Sequence, residues 1–351
     1  MGYMVEKEEY QKYVVGRIIS VQKNAFFVLF ENGEMLAKVS GKFMHQSKMK
    51  RDFPVTGDFV NMSILPDRSF AMIHGIRKRK NSISRQVSGG SKRLSGGPVD
   101  EQLIAANVDV IFVVCGLDRD FNLRRIERYL TLIYNSGASP VIVLNKKDLC
   151  PDSDSKKLEV ESVALSVPVH VISAIDKDDV DSLRVYFKKE HTVALLGSSG
   201  AGKSTLINSL LGTERQKVHA VSEQLGKGVH TTTTRELIPM PGGGMIMDNP
   251  GMREIQLWVD GETTESVFGD IESIASECRF KDCTHHNEPG CAVQEAILDG
   301  TIDLKRVKSF MKLKKEVNYL EERKQKSADR IEKEKWKDIR KYQKTLNKDK
   351  A

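Results

Sequence analysis

No stretch of the 351 residues approaches the ~18–20 consecutive apolar residues that a membrane-spanning helix needs. The first ten residues, Met1 to Tyr10, hold neither an apolar signal core nor an Arg-rich amphipathic pattern. Glu6 stands where N-myristoylation needs Ser or Thr. These absences predict a cytoplasmic chain with no membrane partner. Cysteine is scarce: five in all, three of them between 278 and 291. Without a secretory signal this excludes a disulfide framework and turns attention to metal binding. At 39% hydrophobic and 29% charged residues the chain is a folding one, long enough for two or three domains.

Charge is unevenly spread. The net charge is +7, but residues 1–99 hold 17 Lys and Arg against 8 Asp and Glu, and residues 301–351 hold 18 against 9. Two basic ends flank an acidic centre, which suggests that the ends meet a polyanion such as RNA.

Five short β-rich runs, Val14–Val21, Phe26–Phe30, Glu34–Val39, Asp58–Ile64 and Phe70–Ile76, predict a small barrel of the OB or SH3-like kind over 1–76. Asn32-Gly33 marks a hairpin between the second and third. Residues 77–100 are basic and Ser/Gly-rich, as in an interdomain linker. From 101 to 262 apolar runs alternate with helical patterns: Val110–Cys115, Val141–Leu144, Val169–Ile172, Val193–Leu196 and Met245–Met247, with Leu123–Tyr134 amphipathic between the first two. This alternation predicts a largely parallel α/β sheet with its ligand loops at the carboxyl ends of the strands. Residues 263–351 show no strand signal. A Cys/His cluster precedes a Lys/Glu-rich segment in which Val307, Phe310, Met311, Lys314 and Val317 form a partial stripe, predicting a long, mostly exposed helix.

The phosphate-binding signature is Gly197-Ser198-Ser199-Gly200-Ala201-Gly202-Lys203-Ser204, followed by Thr205. Glycines let backbone N–H groups curl around phosphate oxygens, and the helix that follows adds positive potential. Lys203 would neutralise the β- and γ-phosphates and act in catalysis, and Ser204 would ligate Mg²⁺. Asn145-Lys146-Lys147-Asp148 supplies base choice. Asp148 would accept from the guanine N1–H and 2-amino groups, Asn145 would meet the O6 or N7 side, and the Lys146 stem would pack on the ring. Adenine would leave the carboxylate facing no donors. Ser173-Ala174 would back O6 with a backbone amide. Asp248-Asn249-Pro250-Gly251 matches the D-x-x-G turn: Asp248 would hold Mg²⁺ through water and the Gly251 amide would face the γ-phosphate. Upstream, Gly226 to His230 leads into Thr231–Thr234, one of which, taken as Thr232, should reach Mg²⁺. Met252 replaces the Gln that orients water in Ras-like proteins, so another group must act or a partner must complete the site. Cys278, Cys283, a histidine (His285 or His286) and Cys291 would fill a structural tetrahedral Zn²⁺ site with no position left for reactive water.

The order of these motifs fixes the architecture. A conventional GTPase runs P-loop, switch threonine, D-x-x-G, N-K-x-D and then S-A. Here the last two come first, so the domain is circularly permuted. With the preceding barrel, the His-Thr-Thr-Thr switch and the Cys/His cluster, the chain resembles the bacterial ribosome small-subunit-dependent GTPase A family over roughly residues 10–300. The resemblance implies an N-terminal OB-fold, a permuted GTPase and a C-terminal zinc module with one structural Zn²⁺, His285 among its ligands. It also implies a role for His230 in hydrolysis, and a monomer binding rRNA in late maturation of the small (30S) ribosomal subunit, released on hydrolysis. Val229 and Asn249 depart from the family's usual residues at those positions. About thirty residues separate Asp248 from Cys278, a short covalent path by which loss of the γ-phosphate could move the zinc module.

Overall fold

The computed structural model describes residues 13–22, 25–47, 49–67, 69–87, 100–213, 236–248, 265–286 and 288–325. The chain forms two compact units, residues 1–84 with 103–256 and residues 85–102 with 257–351. Among the described residues no helix is long and apolar enough to cross a membrane.

The first unit opens with β1 (Val14–Gln22), β2 (Ala25–Phe30), β3 (Gly33–Val39), α1 (Gly41–Gln46), β4 (Phe59–Ile64) and β5 (Ala71–Ile76). The strands run in the order β1-β2-β3-β5-β4, and β4 pairs back onto β1, closing the barrel. β3 and β5 are parallel, and the other barrel pairs are antiparallel. This Greek-key order, with a helix between the third and fourth strands, makes the barrel OB-like. Alternate residues point inward as the pleat requires, so Ile18, Phe26, Val28, Ala37, Val60, Met62, Ala71 and Ile73 share one core.

The segment predicted as a linker begins as structure. β6 (Ser82–Val87) pairs with β7 (Asp100–Ala106) in a two-stranded sheet, and Ile83 is buried. Only two of the six residues of β6, Ile83 and Val87, carry the β-branched signal that marks a strand, and the Ser/Gly-rich composition around it hid it.

The α/β part then follows: β8 (Val110–Gly116), α2 (Leu123–Ser136), β9 (Ser139–Asn145), α3 (Ser153–Val163), β10 (Val169–Val171), α4 (Lys177–Asp181), β11 (Thr192–Leu196), α5 (Lys203–Leu211), β12 (Glu236–Pro239) and β13 (Met245–Asp248). The order is β10-β9-β8-β11-β13-β12, parallel throughout except for β12. Every residue of β8 is buried, as a central parallel strand covered on both faces must be. α2 starts where Asn122 accepts from Arg125 N and stops at Gly137 in the left-handed region, φ +76°. β12 has no counterpart in the sequence reading: four residues ending in Pro239 give too little periodicity.

Barrel and α/β sheet are continuous. β1 pairs with β12, Ser20 opposite Glu236, which makes one sheet of eleven strands. Beside this joint lies Arg17, buried against the first residues of β11 and β13 and the segment that precedes β8. Its guanidinium donates to Asn107 O (3.2 Å), Thr192 Oγ1 (2.5 Å) and Met245 Sδ (3.4 Å), and lies over the Phe59 ring. Burial pulls its pKa down to about 10.

In the second unit, α6 (Glu265–Ser276), which kinks at Phe268, precedes the Cys/His loop, α7 (Ala292–Leu298) and α8 (Leu304–Gln325). α8 is packed rather than exposed along its first four turns. Val307, Phe310, Leu313 and Val317 are buried, and Phe310 meets Phe268 at 5.5 Å between ring centroids. The buried stripe thus takes Leu313 in place of the expected Met311 and Lys314.

Candidate functional site

Parallel pairing sets the site. β11 lies between β8 and β13, with Leu196 beside Val113 and Ala194 beside Met247. The carboxyl ends of β8, β9, β10, β11 and β13 therefore lie along one edge of the sheet, and the loops that leave β8, β9, β10 and β11 open there. The phosphate-binding loop leaves β11 and runs into α5, and Gly197 and Gly202 are required by contact as well as conformation. A Cβ on Gly197 would sit 2.2 Å from Val114 O, and one on Gly202 (φ +93°) would sit 2.1 Å from Asn145 Nδ2. Lys203 Nζ donates to Gly197 O (2.7 Å) and Ser198 O (2.5 Å), so the ammonium lies along the mouth of the loop. Ser204 and Thr205 follow in the first turn of α5.

The guanine-type motif ends β9 and is bonded to that loop. Asn145, buried, donates through Nδ2 to Ala201 O (2.9 Å) and accepts at Oδ1 from Ala174 N (2.9 Å). One carboxamide thus joins all three loops. Asp148, exposed, accepts from Ser173 Oγ (2.5 Å). Ala174 N donates to Asn145 and Ser173 N donates to Asp179 Oδ2 (2.8 Å), since a buried N–H near a carboxamide or carboxylate takes that acceptor. Lys146 adopts φ +67°, an uncommon conformation for a residue with a side chain, and pairs with Asp118 Oδ2 at 2.6 Å. Lys147 is exposed, 3.6 Å from Asp179.

Asp248 is half-buried at the end of β13, opposite Glu236 of β12. His230, Thr232 and Gly251 lie outside the described residues. Three carboxylates escaped the sequence reading: Asp118 and Asp120, which follow β8, and Asp179, which binds the Ser173 loop. For Asp118 and Asp120 the position just past the end of β8 was the available signal. Cys115, in β8, is buried, and burial pushes its thiol up to about 11.

The metal cluster forms in the second unit as the spacing implied. Ligand atoms of Cys278, Cys283, His285 and Cys291 all lie within 4.8 Å of one another. Cys278 Sγ is 3.8 Å from Cys291 Sγ and 3.6 Å from His285 Nδ1, and Cys291 Sγ is 3.5 Å from that nitrogen. His285, not His286, points inward: a left-handed backbone (φ +58°) turns it, and Gln294 donates to its carbonyl at 2.5 Å. Burial lowers the His285 pKa, favouring the neutral form that ligates metal. Burial opposes a thiolate at Cys278, but the Val293 and Ala292 N–H groups donate to it and bring its pKa below the usual value. Glu288 fixes the loop by accepting from Thr284 N and His286 N, both at 2.9 Å, and from the Thr284 hydroxyl.

The described residues thus carry a P-loop, the Asn145–Asp148 loop bonded to it and a Cys₃His cluster able to hold a metal. Comparison with known proteins agrees. The family model described as RsgA GTPase matches residues 76–258, and one described as 50S ribosome-binding GTPase matches 192–328. The chain is 43% identical over 308 residues to the small ribosomal subunit biogenesis GTPase RsgA of Syntrophotalea carbinolica, covering 88% of this chain and 84% of that one. It is 42% identical to the protein of the same name from Methanosarcina acetivorans, over 96% of this chain and 89% of that one. Among solved structures it is similar to YjeQ from Thermotoga maritima (TM-score 0.61, 26% identity, 87% of this chain and 98% of that one). It also shares the fold of YloQ, described as a circularly permuted GTPase (TM-score 0.59, 22% identity, 90% and 98%). The chain belongs to the RsgA GTPase family and is a circularly permuted GTP hydrolase.

Proposed function

We propose that this GTPase acts in late maturation of the small ribosomal subunit, holding rRNA in its GTP form and leaving when GTP is hydrolysed. The relatives' names support the subunit, and the basic residues 1–99 and 301–351 support rRNA as the surface met. The carrying observation for the nucleotide is the Asn145 carboxamide, which bonds the phosphate loop to the base-reading loop. One ligand spanning both is the reason to tie them. Asp148, Asn145 and the Lys146 stem read guanine, while Ser173 and Ala174 act through Asp148 and Asn145. Gly197 to Thr205 take the phosphates, and the Gly251 amide meets the γ-phosphate.

Hard oxygen donors suit Mg²⁺: Ser204 at the start of α5 and Asp248 at the end of the adjacent strand would hold it, with Thr232. The ion would neutralise charge developing on the phosphates. Lys203 does the same from the loop, and His230 positions or deprotonates the attacking water, a task Met252 cannot perform. The cluster of the second unit suits Zn²⁺. A tetrahedron with Zn–S of about 2.3 Å and Zn–N of about 2.0 Å has S···S edges near ~3.8 Å and S···N edges near ~3.6 Å, matching the spacings found. One chain carries every motif, so we read a monomer working in the cytoplasm.

The test is steady-state GTP hydrolysis with small or large ribosomal subunits added. Stimulation by the small subunit alone is expected, and His230→Ala should bind GTP but lose that stimulation. Equal response to both subunits, or equal subunit affinity with GTP and GDP, would overturn the reading. Asp148→Asn should weaken GTP by at least about 100-fold and admit xanthosine triphosphate, whose 2-oxo group accepts a hydrogen bond.

A further inference from the structure

The segment between β8 and α2 lies outside the five motifs, yet its two carboxylates reach both halves of the nucleotide site. Asp118 pairs with Lys146 on the base side at 2.6 Å. Asp120 accepts the Ser198 hydroxyl on the phosphate side, both carboxylate oxygens lying 2.5 Å from Oγ. The two are linked, Asp120 N donating to Asp118 Oδ1 at 3.1 Å. Asp120 is held from behind as well. Gly116 N donates to Oδ2 (3.2 Å), Arg125 Nη2 pairs with Oδ1 (2.8 Å), and Arg125 also donates to the Asp120 carbonyl. Its side chain is 14% exposed.

A carboxylate beside a loop built for phosphate works against the ligand by like charge. Its presence there needs a compensating role, and Arg125 offsets the charge while leaving the acceptor turned to Ser198. Ser198 is the first residue after Gly197, and its carbonyl accepts from Lys203 Nζ. The residue is therefore gripped on both sides, by Asp120 through the hydroxyl and by Lys203 through the carbonyl. Fixing both ends sets the direction of the peptide groups that run from Ser198 to Gly200, whose N–H groups must converge on the phosphates. We propose that Asp120, charge-balanced by Arg125, is a positioning residue that orders the phosphate loop through the Ser198 hydroxyl. This rests on the reading of the loop as the GTP phosphate site.

The experiment is a double-mutant cycle on the full-length protein, read as affinity for a fluorescent GDP and as KM and kcat for GTP. Asp120→Ala and Ser198→Ala should each weaken GDP about tenfold and raise KM. The double variant should be no worse than either single one, since the second change removes a bond already lost. Asp120→Asn keeps an acceptor oxygen and should stay within about threefold of the parent. Additive losses would show that Asp120 acts through Gly116 and Arg125 instead, and unchanged affinity in Asp120→Ala would show that it does nothing; either overturns the proposal. Thermal unfolding of each variant separates loss of fold from loss of site, and Asp120→Asn and Ser198→Ala, both close in shape to the parent, carry the test if Asp120→Ala does not fold. Failure of the parent protein to bind GDP, or full binding by Lys203→Ala, would instead overturn the underlying site reading and the proposal with it.

Discussion

Gly202 sits where the phosphate loop and the Asn145–Asp148 loop touch, and no side chain fits there. Its φ of +93° strains any L-residue, and a Cβ would displace the Asn145 amide. Gly202→Ala should therefore lower GDP affinity by at least about 100-fold, with circular dichroism unchanged, because the clash breaks the Asn145 bond to Ala201 rather than the core. At the metal cluster the comparable residue is Glu288. Its pKa is drawn down to about 2 by the Thr284 hydroxyl and N–H donors, so it is ionised at neutral pH. Glu288→Ala leaves the Cys₃His side chains but frees their loop, and should weaken the binding of added Zn²⁺ about tenfold in a chelator competition.

Among elements, α8 shows what periodicity can and cannot assign. Its polar majority predicted an exposed helix, but four apolar residues at spacings of three and four suffice to bury one face. Phe310 is the centre of that face, fully buried against Phe268. Phe310→Ala should destabilise the second unit by roughly 3–5 kcal/mol in urea unfolding. β12 teaches the opposite lesson. Four residues have too short a pattern to announce a strand, yet β12 is bonded to both β13, which ends in Asp248, and β1 of the barrel.

For the molecule as a whole, the joint of barrel and GTPase is a single sheet stapled by Arg17. The arginine touches the starts of the parallel strands, and the nucleotide loops lie at their ends. Arg17→Ala should therefore cost roughly 2–3 kcal/mol of stability in denaturant while leaving GDP affinity nearly unchanged. Arg17→Met, which refills the volume, should recover part of the loss. A large change in nucleotide affinity in either variant would show that the barrel and the site are coupled.

Sequence alone determined the motifs, their permuted order, the five barrel strands and the Cys/His cluster short of one choice of histidine. These are local: a phosphate loop needs its glycines and lysine in consecutive positions, and a strand or a chelating loop writes its spacing into a few neighbouring residues. Tertiary structure decided what depends on partners distant in the chain. It selected His285 over His286 by turning one backbone angle, gave the Ala174 amide to Asn145, and brought Asp120 to Ser198 across 78 positions. It also fused barrel and GTPase through Arg17 and a strand of four residues. No local pattern records such pairings, because the hydrogen bonds and burial that fix them exist only once the sheet has brought its loops to one edge.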